Sequence, residues 1–195
     1  MLTKVTILLI AILSFQQPAA AEAEIQRIAM EGWQAARALA PKGGALDQLG
    51  PVNLRLRALD KFPNTSARYA ETAIRAAVSA AQEEREELKL FLVHARDLSQ
   101  QMALAGSPAV SPLAIDELEG ELLLEVDLFS EARDAYERAT KTRPTPNAWI
   151  GLARASDRLG DTVTACRAYT QAGTTKGLPN SVELEISLYA LKCRL

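Results

Sequence analysis

Residues 132–139 read ARDAYERA, and residues 165–172 read ACRAYTQA. In each segment a Tyr follows one Ala by four positions and precedes another by three, and the second segment begins 33 residues after the first. Gly120 corresponds to Ala153 at the same distance. Self-similarity at this period is typical of a helical solenoid, in which small residues let two helices approach each other and the Tyr fills the space beside them.

The composition also predicts a helical chain. Ala (34) and Leu (28) supply 62 of the 195 residues, aromatic residues make up only 5%, and there is a single His. Residues that favour strands are sparse, which argues against a β-sandwich or a doubly wound α/β enzyme. The formal net charge of −2 is unlike that of a basic nucleic-acid-binding protein. We therefore expect an all-α protein.

The two copies resemble the tetratricopeptide repeat family over residues 113–178. The matching positions in the second copy are Trp149, Leu152, Ala153, Ser156, Leu159, Gly160, Asp161, Ala165, Tyr169 and Ala172. The first copy lacks the initial Trp and matches at Gly120, Leu123, Phe129, Ala132, Tyr136, Ala139 and Pro144. The resemblance implies a solenoid of helical hairpins, with helices near 113–126, 129–142, 146–159 and 162–174.

Two such repeats bury too little surface to stand without neighbouring helices, so we expect a cap on each side. On the C-terminal side, residues 180–193 predict a helix that begins with a side-chain cap at Asn180 or Ser181. On the N-terminal side, the helical region 22–105 precedes a linker at 106–112 that contains Gly106 and two Pro. The domain boundary is therefore expected between this region and the repeat domain, residues 113–195.

The N-terminal region contains an amphipathic helix near 22–40 and a weaker helical stretch that ends at Pro63. Residues 66–105 contain neither Gly nor Pro and keep one apolar seam, which is interrupted only by the acidic run at 82–87. Either one long capping helix is solvated at this run or two helices meet there. The absence of turn-forming residues favours one continuous helix.

The first 21 residues have the layout of a secretory signal peptide. Lys4 precedes an apolar run at 5–15, which is too short to span a bilayer, and Ala19 and Ala21 supply the small side chains that signal peptidase requires. We expect cleavage after Ala21 and export to a Gram-negative periplasm. An uncleaved membrane anchor is the alternative.

Cys166 and Cys193 are the two cysteines of the chain. Export would place them in an oxidising compartment, and a hairpin of the last two predicted helices would bring them opposite each other. A disulfide is therefore expected, and two reduced thiols are the alternative. The spacing needed for a zinc site is missing, so no metal is expected.

The resemblance also implies a partner-binding groove lined by the first helix of each repeat. The groove positions carried over to this sequence are Glu117, Glu121, Glu125, Asn147, Ile150, Arg154 and Arg158. Glu121 and Arg154 are equivalent positions, as are Glu125 and Arg158. These charges either form ion pairs between the helices or select a peptide of complementary charge.

Other candidates for chemistry are weak. His94 lies three residues before Asp97, but no nucleophile is placed beside them, and the acidic run lacks the loop spacing of a calcium site. We expect a non-enzymatic module without cofactors that binds a protein or peptide of the cell envelope and serves its assembly, maturation or scaffolding. The alternatives are a structural homodimer built on the helix 66–105 and, more remotely, a helical-solenoid enzyme that uses a Glu as its acid.

Overall fold

Every regular element in the described part of the chain is a helix, as the composition predicts. The structure is a computed structural model that describes residues 2–39, 46–107 and 114–193. The α-helices are α1 (Leu2–Arg37), α2 (Gly50–Leu59), α3 (Thr65–Ala81), α4 (Arg85–Leu104), α5 (Ile115–Glu125), α6 (Phe129–Thr142), α7 (Pro146–Arg158), α8 (Thr162–Ala172) and α9 (Asn180–Lys192). A short 3-10 helix (Leu46–Leu49) precedes α2. The chain divides into two units, one containing α1–α4 and one containing α5–α9.

In the first unit, α1 packs against α2 and α3. Its buried face contains Ile25, Ile28, Ala29, Trp33 and Ala36, which recur at steps of one, three and four residues, whereas Leu39 lies beyond the helix and is only half-buried. α1 and α3 approach closely at Gly32, where an added Cβ would lie 2.4 Å from Ile74 Cδ1. The helix continues through Ala21 without interruption and ends at Arg37. Among the helices of the described residues, none combines the length and apolar character that a bilayer crossing requires.

The expectation of one continuous helix over 66–105 is wrong. α3 ends at Ala81, and α4 begins at Arg85 after Glu83, whose φ of 57° is left-handed. The break falls within the acidic run, where like charges three and four residues apart weaken a helix. A single left-handed residue costs only about 1–2 kcal/mol, so a chain can turn here without Gly or Pro. Of the predicted linker 106–112, only Gly106 and Ser107 lie within the described residues.

In the second unit, the four predicted repeat helices are present and end within about two residues of the expected positions. Thr145 Oγ1 caps α7 by accepting a hydrogen bond from the Ala148 amide at 3.0 Å, and Pro146 occupies the first turn. The α5–α6 turn has a left-handed residue at Asp127 (φ 60°), and the α7–α8 turn has one at Gly160 (φ 78°). These two positions are 33 residues apart, so the turns repeat together with the helices.

The helices of the second unit pack in chain order, each on the next, and α5 also contacts α7. Tyr136 of α6 packs closely against both α5 and α7. Its ring lies against Gly120 of α5 and Gly151 of α7, where an added Cβ would come within 2.7 Å and 2.1 Å of ring atoms. The Tyr136 ring thus fills a space between α5 and α7 that is open only because both facing positions are glycines.

The last helix is present, but it begins differently from the prediction. Pro179 is the N-cap residue of α9, and no side chain caps the helix. Its inward face contains Tyr189, which is buried, and Ile186, which packs against the cluster around Tyr169. The Cys166–Cys193 disulfide is also confirmed; it joins α8 to the end of α9 with a Cα–Cα distance of 5.7 Å.

Candidate partner-binding surface

The predicted groove lies on α5 and α7, which contact each other. Four of its residues are exposed: Glu125, Asn147, Arg154 and Arg158. Glu121 is half-buried. α5 therefore presents acidic residues beside basic residues of α7, on neighbouring helices of one unit.

The two other predicted groove residues do not face solvent. Glu117 is only 7% exposed, and one of its carboxylate oxygens accepts a hydrogen bond from Thr145 Oγ1 at 2.9 Å. Because Thr145 also caps α7, Glu117 stabilises the start of that helix. Ile150 is 4% exposed and belongs to the core. These two residues are a correction to the predicted surface, since a docked peptide could not reach them.

The two arginines of the surface are held by different neighbours. The Arg154 guanidinium donates two hydrogen bonds to Glu185 of α9, at 2.8 Å and 2.6 Å. The Arg158 guanidinium lies 5.1 Å from the centroid of the Phe129 ring, in a cation–π contact. Arg154 thus pairs with the last helix rather than with the equivalent acid on α5, and its side chain remains about half-exposed.

Sequence reasoning missed a cluster that fastens α9 to α7 and α8. Tyr169 donates a hydrogen bond to Glu185 at 2.7 Å, and its ring lies 4.3 Å from that of Tyr189 between centroids. Tyr189 and Lys192 both donate hydrogen bonds to Asp157. The spacing of four and three residues along α9 was the available signal, because it places these side chains on one face.

The charges of this cluster shift each other's pKa values. Hydrogen bonds from Arg154 hold the pKa of Glu185 below its ordinary value, against the opposing effect of burial. Lys192 lowers the pKa of Asp157 in the same way. Burial and the neighbouring Glu185 raise the pKa of the Tyr169 hydroxyl, which therefore stays a donor. A general acid requires a raised carboxyl pKa, so Glu185 and Asp157 are poorly suited to that role.

The remaining sequence candidates show no assembled chemistry. His94 is exposed on α4, and Asp97 accepts a hydrogen bond from Gln101 at 2.8 Å. The acidic run at 82–87 is exposed. Within the described residues, no group of three or more His, Cys, Asp and Glu side chains is placed to hold a metal ion.

Comparisons with known proteins supply no relative for this chain. No family model matches the sequence, and neither a curated protein nor a solved structure matches it.

Proposed function

We propose that this protein is a non-enzymatic interaction module of the periplasm, with tetratricopeptide-like repeats, that binds an envelope protein and assists its assembly, maturation or scaffolding. The observation that carries the proposal is the pair of charged faces on α5 and α7. Glu121 and Glu125 stand on one helix, and Arg154 and Arg158 stand on its neighbour. A partner segment with basic and acidic side chains in matching order would be held in one register on this surface.

The clamped packing beneath the surface supports this function. Tyr136 holds α5 and α7 at a fixed separation, and Arg154 and Arg158 are each braced by another side chain. Charges held in place lose less side-chain entropy when a partner binds, so they contribute more to affinity than freely moving ones.

The periplasmic location rests on two observations. The N-terminal 21 residues have the pattern of a secretory signal, and the Cys166–Cys193 bridge fits an oxidising compartment. Just beyond the expected cleavage site Ile25 is fully buried, whereas Ala19 and Ala20 before it are exposed.

The decisive experiment is capture of partners from an envelope extract with a charge-reversed surface. The double variant Glu121→Lys with Glu125→Lys removes the acidic side of the surface, and we expect partner recovery to fall at least tenfold. A matched control, Asp134→Lys with Glu183→Lys, makes the same charge change on α6 and α9 of the same unit. Both control residues are exposed.

The two double variants separate the alternatives. Loss of capture in the first and retention in the control supports binding at α5 and α7. Equal capture by wild type and both variants would show that the charged faces only register the helices, and the proposal would be wrong. Far-UV circular dichroism confirms that each variant keeps its helical content.

A further inference from the structure

α9 turns outward a face that the equivalent helix α7 buries. Residues 33 positions apart correspond, and Pro146-Asn147 at the start of α7 recurs as Pro179-Asn180 at the start of α9. At this offset Leu184 corresponds to Gly151, which lies directly beneath the Tyr136 ring. Gly151 is buried, whereas Leu184 is 60% exposed.

The outward face of α9 is an apolar stripe. Leu184, Leu188 and Leu191 are 60%, 60% and 62% exposed. Their spacing of four and then three residues is that of a coiled-coil seam, in which each side chain can enter a facing helix as a knob. The stripe lies opposite the buried face of α9 that contains Tyr189.

Beside the stripe is a surface depression of about 460 Å³, lined by Asp157 of α7 and six residues of α9. The α9 residues are Ser181, Leu184, Glu185, Leu188, Tyr189 and Lys192. Four residues at positions i, i+3, i+4 and i+7 form the hole that receives a knob from a facing helix. The depression contains two such holes in succession, at 181/184/185/188 and at 185/188/189/192, so its shape fits a packed helix.

We propose that this helix is α9 of a second copy of the chain, paired antiparallel about a two-fold axis near Leu188. A two-fold contact requires that each surface complement itself. Antiparallel pairing places the second copy's Leu188 and Leu191 over the two holes. It also brings Glu185 beside the second copy's Lys192, and Lys192 beside the second copy's Glu185, while each keeps its ion pair within its own chain, Glu185 with Arg154 and Lys192 with Asp157. One face thus provides knobs, holes and opposite charges at matching positions.

The small apolar area of the stripe makes the pairing of two α9 helices weak. Three leucines at about 60% exposure offer roughly 350 Å² of apolar surface, which is the size of a functional patch on a monomer. A standard stable interface buries about 800 Å² on each partner. Interfaces that bury less than about 1,200 Å² in total are typical of weak and transient contacts, so the α9 pair is a weak, reversible dimer.

The test is sedimentation equilibrium of the purified protein, with its disulfide intact, over a concentration series up to about 1 mM. We expect the wild-type mass to rise from one chain to two. Leu188→Glu should weaken the association at least tenfold, and Leu184→Glu should do the same. Val163→Glu is the matched control, because Val163 is 79% exposed on α8 of the same unit.

Each outcome decides the proposal. A dimer that survives in Val163→Glu and is lost in both Leu variants supports it, provided that circular dichroism shows folded protein. A single-chain mass throughout the series overturns it and leaves the face for a helix of another protein. Association that persists in the Leu variants, or that exceeds two chains, also overturns it.

Discussion

Replacing Gly151 by Ala tests whether the Tyr136 ring holds α5 and α7 together. The Cβ of an alanine at this position would lie 2.1 Å from Cζ of Tyr136 and 2.2 Å from Cε1. Gly120 of α5 lies against the same ring, where a Cβ would lie 2.7 Å from ring atoms. The ring cannot retreat from one helix without pressing on the other, so the substitution must push helices apart.

Two effects of opposite sign determine how much Gly151→Ala changes the free energy of unfolding. An alanine within a helix is favoured over glycine by about 1 kcal/mol, because glycine loses more backbone entropy on folding. Overpacking a filled core costs about 1–3 kcal/mol, and an overlap of this size with a trapped ring belongs at the upper end. We expect Gly151→Ala to lower the free energy of unfolding by about 2 kcal/mol, which corresponds to a Tm lower by about 4–8 °C.

The assay is thermal and urea unfolding followed by circular dichroism at 222 nm. Gly50→Ala is the matched control, because a Cβ at Gly50 meets no atom within 4 Å. It should leave stability unchanged or raise it slightly. The stronger control repeats Gly151→Ala in a Tyr136→Ala background. There the overlap is gone, so helix propensity should make the alanine neutral or stabilising by up to about 1 kcal/mol.

An equal loss of stability on Gly151→Ala in the wild-type and Tyr136→Ala backgrounds would contradict this prediction. Stabilisation of the otherwise wild-type protein by Gly151→Ala would contradict it as well. Either result would mean that the ring does not set the separation of the two helices.

Three further predictions concern the last helix and the N-terminus. Opening the Cys166–Cys193 bridge with a Cys→Ser pair should lower the free energy of unfolding by about 3.5 kcal/mol in the chain-entropy model, measured by urea unfolding, and thiol labelling of the denatured, unreduced protein should find no free thiol. Glu185 and Asp157 have lowered pKa values when folded, so the unfolded chain binds more protons in acid. Their stabilisation is complete at neutral pH and is lost as the pH falls below about 4, and Glu185→Gln should reduce this acid sensitivity in unfolding experiments. N-terminal sequencing of the exported protein should begin at Glu22, and a start at residue 1 would contradict cleavage.

The repeat helices could be predicted because their information is local. Thr145 caps the helix that begins at the next residue, and Gly160 lies within the turn that it allows. The 33-residue period can be read directly from the order of the residues. The pairing of Cys166 with Cys193 followed from the same local elements, once α8 and α9 were placed as neighbours. The break at Glu83 was missed because it depends on weak helix formation in the acidic run rather than on a turn-forming residue.

The candidate surface was predicted only in part. The family resemblance implied that Glu125, Arg154 and Arg158 line a surface groove, and these residues are exposed. It could not show that Thr145 covers Glu117 or that Ile150 is buried, because burial depends on which neighbouring helix lies above a face.

The amino-acid sequence was sufficient to place the helices of the second unit, to show that a segment recurs after 33 residues, and to pair Cys166 with Cys193. Which residue each side chain contacts, and which face of a helix is buried, could be seen only in the tertiary structure. Arg154 pairs with Glu185, 31 residues away, and α9 turns Leu184 to solvent. The physical reason is that helix propensity and capping act over a few neighbouring residues, whereas ion pairs and buried faces depend on how distant segments fit.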